Sequence, residues 1–168
     1  MKKEIIPLDI LLFESEKELV KADMILLEHA HQAAEKAYAP YSKFKVGAAV
    51  KLANGKIILG NNQENAAYPS GLCAERVALF YAHAEYPEVA VEAIAITAKG
   101  NKGVIDTPLS PCGACRQVMA ESEKNSKQQM RVIMQGEKGP VMVVESMKVL
   151  LPFSFLDEYL HKYTNTNR

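Results

Sequence analysis

Two short segments of the sequence carry side chains that could bind a metal ion and move protons. The first is Cys-Ala-Glu at residues 73–75, and the second is Pro-Cys-Gly-Ala-Cys at residues 111–115. The spacing between Cys112 and Cys115 puts both sulfur atoms on one side of a helical turn, and Cys73 could add a third sulfur from another helix. Three protein ligands with an open fourth position are typical of a catalytic zinc site, because a structural zinc site is closed by four.

Glu75 follows Cys73 by two residues, so its carboxylate can lie over the open position of such a metal. A carboxylate there could transfer protons to and from water. The cysteines alone leave other interpretations open. They could form a closed zinc site with a histidine, they could be buried without a metal, or Cys112 and Cys115 could be a thioredoxin-like redox pair. The redox pair leaves Cys73 and Glu75 without a role.

The predicted secondary structure places both cysteine segments where a loop enters a helix. Helices are predicted over residues 72–85 and 112–123, and the positive end of a helix dipole favours the thiolate that binds metal. Strands are predicted at 44–50, 56–60, 91–97, 131–135 and 141–144. Asn54-Gly55 predicts a hairpin between the first two strands. The last two strands should be antiparallel, because residues 136–140 are too few for a parallel crossover.

The N-terminal part of the chain precedes these elements. Residues 1–13 are apolar and contain Pro7, which predicts an irregular lead segment, and a helical pattern then runs from Ser15 to Pro40. We expect residues 1–20 to be an N-terminal extension and residues 21–168 to be one catalytic domain. The order of elements predicts an α/β fold with helices packed on a mixed five-stranded sheet.

Composition excludes several classes of protein. The 168 residues include 20 Lys+Arg and 20 Asp+Glu, so the formal net charge is zero. A protein that holds nucleic acid by bulk electrostatics usually has a basic excess, so we expect no nucleic-acid partner. No apolar stretch reaches the roughly 20 residues of a membrane-spanning helix, so we expect no membrane partner. Charged residues interrupt the N-terminal apolar run, which favours a cytoplasmic protein over one with a signal peptide.

Four segments together resemble the cytidine deaminase family, in its short, three-cysteine, zinc-dependent type. They are Tyr-Ser-Lys-Phe-Lys-Val-Gly-Ala-Ala at 41–49, Asn-Gln-Glu-Asn-Ala-Ala-Tyr at 62–68, Cys-Ala-Glu-Arg at 73–76 and Ser-Pro-Cys-Gly-Ala-Cys-Arg-Gln at 110–117. Zinc nucleobase deaminases carry the pattern His-x-Glu followed by Pro-Cys-x-x-Cys, and a variant has cysteine in place of the histidine. The resemblance covers roughly residues 25–156. It implies a three-layer α/β/α fold and the hydrolytic deamination of cytidine and 2′-deoxycytidine in pyrimidine salvage.

The resemblance also implies roles for individual residues. Cys73, Cys112 and Cys115 would hold one Zn²⁺ per subunit, with Glu75 as the catalytic proton carrier. Arg76 would offset the negative charge of the thiolates, with Arg116 beside Cys115 as a second candidate, although Arg76 alone could be a solvated surface arginine. Substrate-binding roles fall on five further residues: Asn62, Glu64, Phe44, Ala67 and Phe155.

Several of these substrate residues have other interpretations on sequence grounds. Asn62 and Glu64 would bind the ribose hydroxyls, but their composition also suits a polar turn. Phe44 would pack on the pyrimidine ring, yet an aromatic residue in a strand is more often core. Gln63 departs from the family pattern, which has a small apolar residue there.

The resemblance further implies a homotetramer with active sites at subunit interfaces. Phe155, or else Phe153, would enter the neighbouring active site. Two rival functions stay open. The same chemistry could act on blasticidin S, nucleotides or bases in a polymer, or the zinc could stabilise an inactive scaffold. Glu64 would repel a phosphate, and Glu75 has no purpose in a scaffold.

Overall fold

The computed structural model describes residues 1–163, which form six strands, five α-helices and two short 3-10 turns. The strands are Leu11–Phe13 (β1), Lys45–Leu52 (β2), Ile57–Asn61 (β3), Val91–Lys99 (β4), Arg131–Gln135 (β5) and Val141–Val144 (β6). The α-helices are Lys21–Glu35 (α1), Ala74–Glu85 (α2), Gly113–Ser126 (α3), Met147–Leu150 (α4) and Glu158–Tyr163 (α5). None of the helices in this range has the length and apolar character needed to cross a bilayer.

The strands form one mixed sheet in the order β1-β6-β5-β4-β2-β3. Only β4 and β5 run parallel, with α3 as the crossover between them, and β5 and β6 are antiparallel as predicted. The prediction of five strands was wrong, because residues 11–13 are not irregular. They form β1, in which Leu11 pairs with Val143 and Phe13 with Val141. Three residues are too few to give a periodic signal, so only the edge of β6 specifies this strand.

Helices cover both faces of the sheet, which confirms the three-layer α/β/α architecture. Leu26, Leu27 and Ala30 of α1 pack on one face with Ile133 and Val143. The opposite face carries the larger core, to which α2 and α3 contribute buried residues: Ala74, Ala78, Leu79, Ala82, Cys115, Met119 and Ala120. The helix starts that hold the cysteines are therefore anchored in this core.

The hairpin prediction was correct, since β2 and β3 pair antiparallel around a turn in which Gly55 has a φ of +83°. The first helix is shorter than predicted. A 3-10 turn at Glu16–Glu18 precedes α1, and α1 ends at Glu35 rather than at Pro40. Beyond the helix, the Tyr38 N–H donates to the carbonyl of Asn62 at 3.1 Å. This contact brings residues 38–44 beside the segment that follows β3.

Candidate active site

The three cysteine sulfur atoms form one cluster. The Sγ of Cys112 lies 4.0 Å from that of Cys73 and 3.5 Å from that of Cys115. All three sulfurs lie within 4.8 Å of one another. Zinc–sulfur bonds of about 2.3 Å in a tetrahedron place the sulfurs about 3.8 Å apart. The donor set and its spacing therefore fit a zinc ion.

Each half of the cluster sits at the beginning of a helix, as the sequence predicted. Cys73 immediately precedes α2 and Cys112 precedes α3, both with extended backbone, while Cys115 lies in the first turn of α3. Contact with the Cys115 thiol and a hydrogen bond from Arg76 lower the pKa of Cys73 to about 5, against desolvation. Contact with Cys73 and burial raise the pKa of Cys115. The exposed Cys112 leaves one side of the cluster accessible.

Two charged residues of α2 flank the sulfurs. Glu75 is 4% exposed, and this burial raises the pKa of its carboxyl group. The Nη2 of Arg76 donates to the Cys73 sulfur at 3.6 Å, while its Nε is buried and has no hydrogen-bond partner within residues 1–163. Arg116 points elsewhere, since its guanidinium donates to the carbonyls of Pro111 and Leu150. Arg76 is therefore the arginine that contacts the cluster.

A cavity of about 600 Å³ opens beside the cluster and joins most of the predicted site residues. It brings Asn62 and Glu64 to the same space as Cys73, Glu75 and Cys112. The full lining is Tyr41, Ser42, Val46, Asn62, Gln63, Glu64, Asn65, Tyr68, Gly71, Leu72, Cys73, Glu75, Arg76, Leu109, Ser110 and Cys112. This volume is in the range of cavities that bind small molecules.

Asn62 and Glu64 also hold the backbone of the neighbouring segment. The Asn62 Oδ1 accepts the Val46 N–H at 2.7 Å, and its Nδ2 donates to the carbonyl of Phe44 at 2.9 Å. The Glu64 Oε2 accepts the N–H groups of Tyr41 and Ser42 at 2.9 and 3.3 Å. Both side chains therefore have fixed orientations at the wall of the cavity.

Three predicted substrate residues lie outside the lining formed by the described residues. Phe44, which immediately precedes β2, is 36% exposed, and the N–H of Ala67 donates to the Oδ1 of Asn65. The Phe155 side chain is 58% exposed. Its backbone exchanges two hydrogen bonds with the carboxamide of Gln117 on α3, which fixes where the chain passes.

Sequence reasoning missed several lining residues, among them Tyr41, Ser42, Tyr68 and Leu109. Tyr41 and Tyr68 meet edge to face with ring centroids 6.5 Å apart. Both tyrosines and Ser42 lie inside the recognised segments, but loop aromatic and hydroxyl residues carry no distinctive spacing. Their position in the lining depends on the contact between residues 38–44 and the segment after β3.

The closed zinc site with a histidine finds no support in the described residues. The ring of His31 contacts Gln135, and that of His83 contacts Ser122, both at 3.0 Å or less. Within the part of the chain that the structure describes, the group able to hold a metal consists of the three cysteines.

Known proteins are similar to this chain in sequence and fold. The family described as "Cytidine and deoxycytidylate deaminase zinc-binding region" matches residues 20–130, which include all three cysteines. A cytidine deaminase of Halalkalibacterium halodurans is 50% identical over 97 residues, which are 58% of this chain and 69% of that protein. A cytidine deaminase of Sporosarcina psychrophila is 42% identical over 135 residues, which are 80% of this chain and 92% of that protein.

A solved structure agrees with these sequence relatives. The cytidine deaminase of Burkholderia pseudomallei superposes with a TM-score of 0.69 at 42% identity, covering 82% of this chain and 100% of its own. The family match spans all three cysteines, and the solved structure shares the fold over most of the chain. The chain therefore belongs to the cytidine and deoxycytidylate deaminase family.

Proposed function

We propose that this protein is a zinc-dependent hydrolase that converts cytidine and 2′-deoxycytidine into uridine and 2′-deoxyuridine, with release of ammonia. The observation that carries the proposal is the shared cavity: Cys73 and Cys112 line it together with Glu75 and with the polar side chains of Asn62 and Glu64. Such a cavity can hold a nucleoside with its base at the thiols and its sugar at the polar wall. The activity suits pyrimidine salvage.

Cys73, Cys112 and Cys115 would hold one zinc ion per subunit. When bound, zinc supplies Lewis-acid activation of water, which makes water a nucleophile near neutral pH. Three thiolates leave an excess of negative charge, and Arg76 offsets it through its contact with the Cys73 sulfur. Loss of the positive charge of Arg76 would weaken the activation of water.

Glu75 would carry the protons of the reaction. Its carboxylate accepts a proton as water adds to C4 of the cytosine ring, and donates it to N3. It then transfers the proton of the new C4 hydroxyl to the amino group, so that the C4–N bond breaks, ammonia leaves and the C4 carbonyl forms. Burial beside the cavity excludes competing water from this carboxylate.

Substrate recognition would rest on Asn62 and Glu64 for the sugar hydroxyls. Phe44 is proposed to pack on the pyrimidine, and the backbone of Ala67 to contact the base. Both residues lie outside the cavity lining formed by the described residues, so the resemblance to the family is what supports these two roles. The absence of a basic excess and the carboxylate of Glu64 disfavour nucleotides and polymers as substrates.

Assembly and location are also part of the proposal. We propose a cytoplasmic homotetramer in which Phe155 reaches a neighbouring active site. The carboxamide of Gln117 holds the backbone of Phe155 while the side chain of Phe155 is exposed, which supports a contact with a neighbouring subunit. We retain residues 1–20 as an extension of a catalytic domain at 21–168, with β1 of the extension joined to the sheet. Light scattering on active enzyme would reject the tetramer if it gave a monomeric mass.

One assay tests the activity. Loss of the cytosine absorbance is followed with cytidine, 2′-deoxycytidine, cytosine, CMP and blasticidin S, with zinc measured on the same sample. Turnover of the two nucleosides with one zinc per subunit supports the proposal. Turnover of CMP or blasticidin S in preference to the nucleosides would contradict the substrate, and an inactive protein with one zinc would favour a scaffold.

A further inference from the structure

The turn before β2 holds the carboxylate of Glu64 at three points. The Oε2 atom accepts hydrogen bonds from the backbone N–H groups of Tyr41 and Ser42. The Oε1 atom accepts a hydrogen bond from the hydroxyl group of Ser42. The hydroxyl is thus the single side-chain group among these donors, and Ser42 and Glu64 both line the cavity.

The hydroxyl of Ser42 has its own orientation fixed. Its oxygen accepts the N–H of Phe44 at 3.0 Å, so its one proton is directed to Glu64. Lys43, which lies between Ser42 and Phe44, adopts the left-handed conformation, with a φ of 57°. A residue other than glycine keeps that conformation only where its surroundings hold it. The N–H of Lys43, which donates to the Ala39 carbonyl at 3.1 Å, contributes to that hold.

These contacts limit what Glu64 can still bind. A carboxylate has about four acceptor positions, and the turn fills both on Oε2 and one on Oε1. One position on Oε1 is left for a hydroxyl donor in the cavity. Hydrogen bonding from Ser42 is the main cause that lowers the pKa of Glu64, which keeps it an acceptor.

We propose that Ser42 is a positioning residue for the sugar: its hydroxyl orients Glu64 so that the free acceptor on Oε1 meets one hydroxyl of the nucleoside. The inference deepens the proposed function and rests on it. Asn62 is held by the N–H of Val46 and the carbonyl of Phe44 and makes no hydrogen bond to Ser42, so the Ser42 hydroxyl acts directly on Glu64 alone.

The test is Ser42→Ala, measured with cytidine and with 2′,3′-dideoxycytidine, which lacks both ring hydroxyls. Hydrogen bonds to charged groups support an expected rise of about tenfold in KM for cytidine. We expect kcat for cytidine, and KM for the dideoxy substrate, to change less than twofold. Ser42→Thr, which keeps a hydroxyl, should restore the cytidine KM. Ser70→Ala, in the exposed turn beyond the lining, is the matched control.

A double-mutant cycle with Glu64→Ala separates this role from a general effect on the turn. In the Glu64→Ala background, Ser42→Ala should change the cytidine KM less than twofold, since no carboxylate is left to orient. An equal rise in KM for cytidine and the dideoxy substrate, a fall in kcat for both, or no change at all would overturn the role of Ser42.

Calorimetry measures ligand binding directly and so tests the role of Ser42 independently of turnover. Uridine should bind Ser42→Ala about tenfold more weakly than it binds the wild type, and 2′,3′-dideoxyuridine should bind both equally. A wild-type protein that turns over no nucleoside would overturn the proposed function, whereas equal losses for the two ligands would overturn only the inference about Ser42.

Discussion

Gly60 of β3 packs directly against α2, the helix that begins after the zinc ligand Cys73. A single methyl group at position 60 should therefore displace this helix and the ligand with it. A Cβ atom at Gly60 would lie 2.4 Å from the carbonyl oxygen of Ala74 and 2.5 Å from the N of Ala78. Both atoms are backbone, so no side chain can rotate out of the way. Ala74 lies between Cys73 and Glu75, so any movement of its carbonyl moves the sulfur and the carboxylate with it.

The size of the movement follows from these distances. Carbon and oxygen atoms in ordinary contact are about 3.5 Å apart, so Gly60→Ala requires α2 to retreat by about 1 Å. Zinc ligand distances tolerate about 0.2 Å, so zinc should bind more weakly. A misplacement of about 1 Å at an active site can reduce kcat about 100-fold. Overpacking should also destabilise the fold by about 1–3 kcal/mol.

The assay compares Gly60→Ala with Gly100→Ala, where the nearest atoms to the new Cβ would be 3.7 Å away. Zinc per subunit, kcat with cytidine and Tm are measured on both variants. Gly60→Ala should lose zinc, activity and a few degrees of Tm, while Gly100→Ala should match the wild type. A Gly60→Ala protein with normal zinc content and normal kcat would refute the argument that the strand sets the position of α2.

Three further outcomes are expected. Glu75→Gln should keep one zinc per subunit but lose at least about 100-fold in kcat, since the amide cannot carry a proton; near-normal turnover would contradict its role. Arg76→Gln removes the cation at the Cys73 sulfur, so a chelator should extract zinc at about 10–100-fold lower concentration than from the wild type. Equal resistance to the chelator would exclude that role. Burial lowers the pKa of His83, so the folded state binds fewer protons than the unfolded chain just below pH of about 6.5. The stability that neutral His83 contributes is present above that pH and is lost as the pH falls, so His83→Gln should flatten the decline of Tm between about pH 7 and pH 5. Parallel declines in variant and wild type would exclude His83 as the cause.

Local sequence signals predicted the elements that carry the chemistry. Cys112 and Cys115 stand at helical spacing, and Asn54-Gly55 specifies a hairpin by turn chemistry alone, so both could be located without the fold. The strand β1 could not be predicted this way. Its three residues acquire their conformation from pairing with β6, and a contact with residues some 130 positions along the chain leaves no local pattern.

The cavity wall also combines residues that local sequence signals identify with contacts that those signals do not reveal. Asn62 and Glu64 were identified from their segment, but the segment did not reveal that their side chains hold the backbone of residues 41–46. Ser42 was missed because a serine in a loop is commonplace, and its importance comes from a hydrogen bond across 22 positions of sequence. Residue type indicated the chemistry, whereas the contacts between distant segments decided which residues meet in the cavity.

The loop that leads to the second half of the cysteine cluster also packs closely against a glycine. A Cβ at Gly136 would lie 2.4 Å from the carbonyl oxygen of Ile105, and the N–H groups of Glu137 and Lys138 both donate to that oxygen. The turn between β5 and β6 thereby anchors the loop that leads into Cys112, as Gly60 anchors the start of α2. Gly60 thus approaches the ligand-bearing helix directly, whereas Gly136 approaches the loop that precedes Cys112. A displaced Ile105 carbonyl moves this loop, so Gly136→Ala should weaken zinc binding less than is expected of Gly60→Ala, and normal zinc binding by Gly136→Ala would show that the loop holds Cys112 without this contact.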